Sequence, residues 1–332
     1  MITTDHMLAA ALVGEVALRR KLGWAGPIVA AVAGLIPDLD QVAIALFADG
    51  PFAYLKHHRG LSHSLLFAPV LAAVVAAVAC LVCRSRKFGW MFLAALAGVL
   101  CQLALDWPTS YGTQLLNPIT TTAYALDWIF IIDLYLTAIL IVALVLVWRS
   151  RRHGGDYVRT GVRGLAAATA YLLFLGALHT MAVDRLDRQL ASLGVDRDEV
   201  GQTACLPVPL MPMVWTACYT TPGRTHMGLV HVMGDAPIEF RILADAPPSA
   251  AIAAVGDDPR ADAFFDFARL PVYEETIDEH GVSTVLVYDA RFQGYMPGWG
   301  WVRRRPFQLR AVVSPDGRVV SLDRSRWAEL PD

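Results

Sequence analysis

The segment HHRGLSHS, His57 to Ser64, holds three imidazoles, a guanidinium and two hydroxyls in eight residues. Groups of the same kind recur at His6, at Asp38 and Asp40 in PDLD, and at Asp106 ahead of TSYGT (109–113). Imidazole mixed with carboxylate suits Zn, Mn or Fe, whereas Mg and Ca prefer oxygen alone. His6, Asp38, Asp40, His58, His63 and Asp106 are therefore candidate ligands of a divalent metal centre, Zn or Mn, of one or two ions. Pro37 is expected to end a helix, leaving Asp38 and Asp40 two apart in an extended stretch and facing the same way. His58 and His63, five apart, share no helix face, but a loop leading into a helix N-terminus can fold both toward one centre. The positive end of that helix and the donor fork of Arg59 favour an anionic ligand.

The elements that must position these groups follow from composition. Of 332 residues 55% are hydrophobic and 17% charged, with a mean hydropathy of +0.45. Soluble domains carry about a quarter charged residues, so this chain reads as a membrane protein. No basic domain stands out, so nucleic acid is not an expected partner; the lipid bilayer is. Residues 1–183 are apolar and punctuated by basic clusters, and 184–332 read as a soluble domain. A bilayer core of ~30 Å needs about 20 apolar helical residues. Segments 65–83, 88–105, 128–148 and 162–183 qualify. Segments 7–18 and 24–36 are shorter and are expected to form a hairpin of shortened or tilted spans. MITTDH lacks a positive n-region, and Glu15 and Arg19 interrupt the apolar run, so no cleaved signal is expected. The expected fold is an α-helical membrane bundle of about six helices, two of them short, followed by a small, mainly antiparallel α+β soluble domain.

Charge sets the orientation. Arg19, Arg20, Lys21, Arg84, Arg86, Lys87, Arg149, Arg151, Arg152, Arg159 and Arg163 fall at one side of the six segments, against Lys56 and Arg59 at the other. The positive-inside rule makes the first side cytoplasmic and the domain 184–332 extracytoplasmic. There Cys205 and Cys218 could pair, or remain two buried thiols. His6 opens the first segment, PDLD ends the second, His63 opens the third and Asp106 ends the fourth. A bundle brings those four ends to one outer rim.

Other polar residues have plainer readings. His57 is expected to be a solvated loop residue and His179 a helix–helix hydrogen-bonding group. Glu15 is expected to face the bundle, pairing with an Arg or supporting the site. Asp127 and Asp133 are candidate supports of the site, or Asp127 caps the fifth helix. In the soluble part, strands are expected at 213–219, 225–233, 238–243, 283–292, 307–314 and 318–322, with an amphipathic helix over 184–198 and a short one over 260–268. His226 and His231, five apart, would point to opposite faces of a strand. YMPGWGW (295–301) reads as a packed turn in preference to a loop that touches the membrane or lids the site.

These motifs together resemble the YdjM-type family of bacterial inner-membrane metal-dependent hydrolases. The matching pieces are His6, GLIPDLD (34–40), HRGLSHS (58–64) and LDWPTSYGTQLLNP (105–118), with ALDWIFIID, LPVPLMPMVW and VLVYDARF further on. The resemblance implies functional roles for His6, Asp38, Asp40, His58, Arg59, His63 and Asp106. It also implies a His four residues before Asp106, where this chain has Gln102, a poor Zn ligand. The implied chemistry is hydrolysis by metal-activated water. Asp38 or Asp40 would take the proton, and Arg59 with backbone N–H groups of TSYGT, opened by Gly112, would hold an oxyanion. A site at the membrane boundary points to a lipid-linked or envelope substrate, a phosphoester in preference to an acyl ester. The competing reading is a non-catalytic metal-stabilised scaffold whose outer domain binds a partner. A transporter would want mid-bilayer polar groups and an internal repeat, and the sequence shows neither.

Overall fold

A computed structural model describes residues 3–50, 52–196, 198–302 and 305–324. The chain divides into two compact units, Met1–Ala48 with His57–Gly176, and Asp49–Lys56 with Ala177–Asp332.

The first unit is a helical bundle of α1 (Thr3–Ala17), α2 (Ala25–Ala33), α3 (Asp40–Phe47), α4 (Ala68–Val82), α5 (Phe88–Asp106), α6 (Leu134–Arg152) and the start of α7 (Tyr157–Ser192). In lipid no hydrophobic effect drives helices together, so small residues that allow close approach decide which faces meet. Ala68, Ala72 and Ala76 make a buried stripe on α4 against Met91, Ala94, Ala95 and Val99 of α5. The opposite face of α4 leaves Val70, Val74 and Val78 exposed. At the α2–α5 crossing a Cβ on Gly98 would lie 2.1 Å from the Ala30 carbonyl oxygen, so only glycine fits.

Among the described residues three helices, α5, α6 and α7, are long and apolar enough to cross a membrane. Two bent pairs, Ala25–Ala33 with Ile36–Phe47 and Ala53–His63 with Ala68–Val82, bring the number to as many as five. Three sequence expectations change. Pro37 does not release the chain into an extended stretch: Ile36–Leu39 is a tight helical turn that leads straight into α3. The helix expected from 128 starts at Leu134, because Asp133 caps it by accepting from the Leu136 N–H at 2.8 Å. Asp127, with φ of 58°, is no helix start. Glu15 pairs with Arg19 at 2.6 Å, just past the end of α1, and with Arg151 at 3.2 Å in the basic last turn of α6.

The second unit contains two four-stranded antiparallel sheets. The first has the order β1 (Thr203–Pro207), β2 (Val214–Thr221), β3 (Arg224–His231), β4 (Arg241–Asp245). The second runs β8 (Val319–Arg324), β7 (Gln308–Val313), β6 (Ser283–Asp289), β5 (Pro271–Ile277). The six strands expected from alternation are present with shifted ends, as is the helix Asp262–Phe267. Sequence reading missed β1, β5 and the helix Ala250–Gly256. β1 is short, β5 carries a polar Glu274–Glu275 pair, and a seven-residue Ala-rich helix shows no periodicity. Its N-cap is Ser249, which accepts from the Ile252 N–H at 3.0 Å. His179 meets the indole of Trp215, ring centroids 5.2 Å apart. His226 stacks on Tyr219, and His231 is exposed at the strand end. Residues 295–301 form a small hairpin closed by Tyr295 against Trp301.

The β1–β2 register settles the cysteine alternatives. Ala204 lies opposite Cys218 and Cys205 opposite Ala217. Adjacent residues alternate faces, so the two thiols emerge on opposite sides of the sheet. Both are buried and neither is in a disulfide among the described residues, and burial pushes the Cys218 thiol up to about 12. Non-reducing denaturation and alkylation should therefore label both, with slow labelling of Cys218 in the native state. A linked 205–218 peptide pair in the non-reduced digest would contradict the register.

Candidate metal centre

Four helix ends deliver the central groups. α1 carries His6 in its first turn, the turn after α2 carries Asp38, the turn Leu61–His63 carries His63, and α5 ends on Asp106. His6 Nδ1 lies 3.5 Å from Asp38 Oδ2, and His6 Nε2 lies 3.3 Å from Asp106 Oδ1. His63 Nε2 faces both carboxylates, 3.3 Å from Asp38 Oδ1 and 3.4 Å from Asp106 Oδ2. One ligand-type atom from each of His6, Asp38 and Asp106 lies within 4.8 Å of the others. His6, His63 and Asp106 have no solvent exposure, and Asp38 keeps a little.

Asp40 and His58 stand beside this group. On a helical turn, positions two apart point about 200° away from each other. Asp38 therefore looks into the bundle and Asp40 toward the HRGLSHS segment. Asp40 Oδ1 meets His58 Nδ1 at 2.9 Å, and its Oδ2 accepts from the Arg59 N–H at 3.1 Å and the Ser62 hydroxyl at 2.8 Å. The sequence candidates thus fall into two adjoining sets: His6, Asp38, Asp106 and His63 in one, Asp40 with His58 in the other. His63 joins them, since its Nδ1 lies 2.9 Å from Ser62 Oγ and 3.5 Å from Asp40 Oδ2.

Arg59 is buried and turned inward. Its φ of 58° is in the left-handed region, uncommon for a side chain other than glycine. The guanidinium lies 2.7 Å from Asp106 Oδ1 and donates to Thr109 Oγ1 at 2.9 Å. The Thr109 hydroxyl in turn donates to the Asp106 carbonyl at 2.7 Å. The fork expected to hold an incoming anion thus engages a carboxylate of the site. Gly112, with φ of 93°, packs against Ala123, where a Cβ would come to 3.0 Å, and the next residue pairs with Tyr124. Its freedom serves the fold of the loop 107–133. That loop is tied to the HRGLSHS segment by the Gln114 N–H to Arg59 carbonyl bond at 3.0 Å and by Leu65 N–H to Leu115 carbonyl at 2.9 Å.

Sequence reasoning missed Ser62 and Thr109, hydroxyls that orient Asp40 and Arg59; only their places inside the two motifs mark them. Gln102 lies one turn before Asp106, fully buried, with Nε2 3.2 Å from His63 Nε2. It touches the cluster at the position where the resemblance implied a histidine.

Charge shows what the cluster lacks. Three carboxylates and one guanidinium leave two negative charges in excess when the imidazoles are neutral. Both ring nitrogens of buried His6 face carboxylates, and neither makes a hydrogen bond. A neutral imidazole has one N–H, so at least one of these contacts sets lone pair against lone pair. Two positive charges are needed for balance, as two imidazolium protons or as one divalent cation.

Residues 1–185, more than half of the chain, match the family described as YdjM inner membrane protein. The chain belongs to that family. This YdjM-family chain is accordingly an inner-membrane protein with several apolar helices in contact with the bilayer. The match ends inside α7, so nearly all of the second unit lies beyond it. No curated protein and no solved structure matches the chain.

Proposed function

We propose that this chain is a membrane-bound, metal-dependent hydrolase acting on a phosphoester at the outer membrane boundary, its second unit outside the cytoplasm. The observation that carries this reading is the convergence of His6, Asp38 and Asp106 within 4.8 Å, with both His6 nitrogens lacking hydrogen bonds. Mixed N and O donors, an excess of negative charge and an unsatisfied imidazole fit Zn or Mn. His6, Asp38 and Asp106 would hold the ion, with His63 beside them. A divalent ion there supplies Lewis acidity that lowers the pKa of water from 15.7 toward about 7. Arg59 keeps Asp106 aligned and adds fixed positive charge. Asp40, held by three donors, orients His58, and the Asp40–His58 pair takes up the proton released in the reaction.

The test uses detergent-purified protein and chromogenic phosphomonoester, phosphodiester and acyl-ester probes. Turnover of a phosphoester, lost on chelation and restored by Zn or Mn, is expected. His58→Ala should lower kcat by about 10²-fold or more, the usual size of a general-base contribution, with metal content unchanged. Metal-loaded protein that turns over none of the probes, yet melts earlier on chelation, would favour a metal-stabilised scaffold. The observation on that side is the complete burial of His6, His63 and Asp106.

A further inference from the structure

We infer that Ser62 is a positioning residue of the metal centre: its hydroxyl fixes which nitrogen of His63 carries the proton and so leaves the other, Nε2, as a ligand. This rests on the metal centre proposed above, and adds to it a second imidazole donor and the support behind that donor.

The order of donors follows from counting protons. A hydroxyl has one hydrogen and two lone pairs, whereas an ionised carboxylate has lone pairs alone. Ser62, in the turn Leu61–His63, directs its Oγ at two groups, Asp40 Oδ2 at 2.8 Å and His63 Nδ1 at 2.9 Å. Its proton goes to the carboxylate, since the reverse would set lone pair against lone pair at hydrogen-bonding distance. Toward His63 the hydroxyl can then only accept, so Nδ1 carries the N–H. Asp40 Oδ2, 3.5 Å from the same nitrogen, is a second acceptor there. A neutral imidazole has one N–H, which leaves Nε2 as a lone pair. Gln102 agrees: its amide nitrogen, a donor, lies 3.2 Å from Nε2.

That lone pair is aimed into the centre. Nε2 faces Asp38 Oδ1 at 3.3 Å and Asp106 Oδ2 at 3.4 Å, and His63 has no solvent exposure. A lone pair and two carboxylate oxygens turned on one another in a sealed space call for a cation. Asp40 then acts on that cation indirectly, through Ser62 and His63, although its spacing from Asp38 made it a candidate ligand. Metal-bound imidazoles commonly donate their other N–H to a carboxylate, a carbonyl or water, which orients the ring and raises its basicity. Here a hydroxyl stands between ring and carboxylate.

The test is metal binding by the full chain in detergent, for wild type, Ser62→Ala and Ser62→Thr, with Zn and Mn titrated against a chelator of known affinity. Ser62→Ala should bind either ion about 10- to 100-fold more weakly, the usual effect of losing a group that supports a ligand. Ser62→Thr keeps the hydroxyl and should bind like wild type. Nitrogen NMR of Zn-loaded wild type with labelled histidine needs no variant and reads the ring directly. His63 should show a protonated Nδ1 and a metal-bound Nε2. Unchanged affinity in Ser62→Ala, an equal loss in Ser62→Thr, or a metal-bound Nδ1 would each overturn the inference while leaving the metal centre in place. Wild type that retains neither ion would defeat the metal centre itself, and the role of Ser62 with it.

Discussion

Asp38→Ala is expected to abolish retention of a divalent ion and, in chelator, to melt at or above the temperature of wild type. Without an ion, Asp38 and Asp106 share His6 and His63 at 3.3 to 3.5 Å, with one guanidinium nearby. Removing one of two converging carboxylates relieves like-charge repulsion, which offsets the small cavity left by a partly exposed side chain. With metal the order reverses. A ligand present at a hundred times its Kd stabilises by about 2.7 kcal/mol. For a unit of this size that is a rise of roughly 5–10 °C in Tm. Wild type should show the rise with Zn or Mn, and Asp38→Ala should not. Metal analysis and thermal unfolding in detergent, with and without chelator, check both halves. Equal metal content in the two proteins, or a variant destabilised in chelator like an ordinary core truncation, would remove the site.

Arg59→Ala is expected to be the most destabilising single change in the cluster. Asp106 is fully buried and pairs with Arg59 at 2.7 Å. Removing one partner of a buried pair strands the other, a loss of about 3–5 kcal/mol. The sign of the metal effect follows: an added divalent ion replaces the lost positive charge, so Zn should restore more stability to Arg59→Ala than it adds to wild type. Backbone adds a second, separable part. With φ of 58° at this position, alanine is strained where glycine is not, by about 1–2 kcal/mol. Arg59→Gly should therefore be milder than Arg59→Ala. Equal melting temperatures for the two would show that the backbone relaxes, and no loss in either would show that Asp106 does not depend on this guanidinium.

Residue type and position along the chain made much of this protein legible. Apolar runs marked the bundle, alternation marked six of the eight strands of the two main sheets, and Glu15 in an apolar helix foretold its arginine partners. The gathering of His6, Asp38, His63 and Asp106 was legible because each lies at the end of a helix. Alternating helices put those ends at one rim whatever the details of packing. What could not be read was direction around a helix axis. PDLD looked extended because Pro37 ends helices, yet proline also starts them, and here it opens the turn into α3. That difference sends Asp38 and Asp40 to different neighbours. Likewise Arg59 looked like a free fork until the end of α5 brought Asp106, and the loop 107–133 brought Thr109, against it.

By itself, then, the sequence determined the membrane-embedded bundle, its antiparallel companion domain and which side chains meet at the rim, since length, hydropathy and helix-end position are local properties. Tertiary structure alone decided which of those side chains face each other, because each residue turns a helix by about 100°. A bend at 34–36 or a cap at Asp133, fixed by packing between distant segments, sets where that rotation starts.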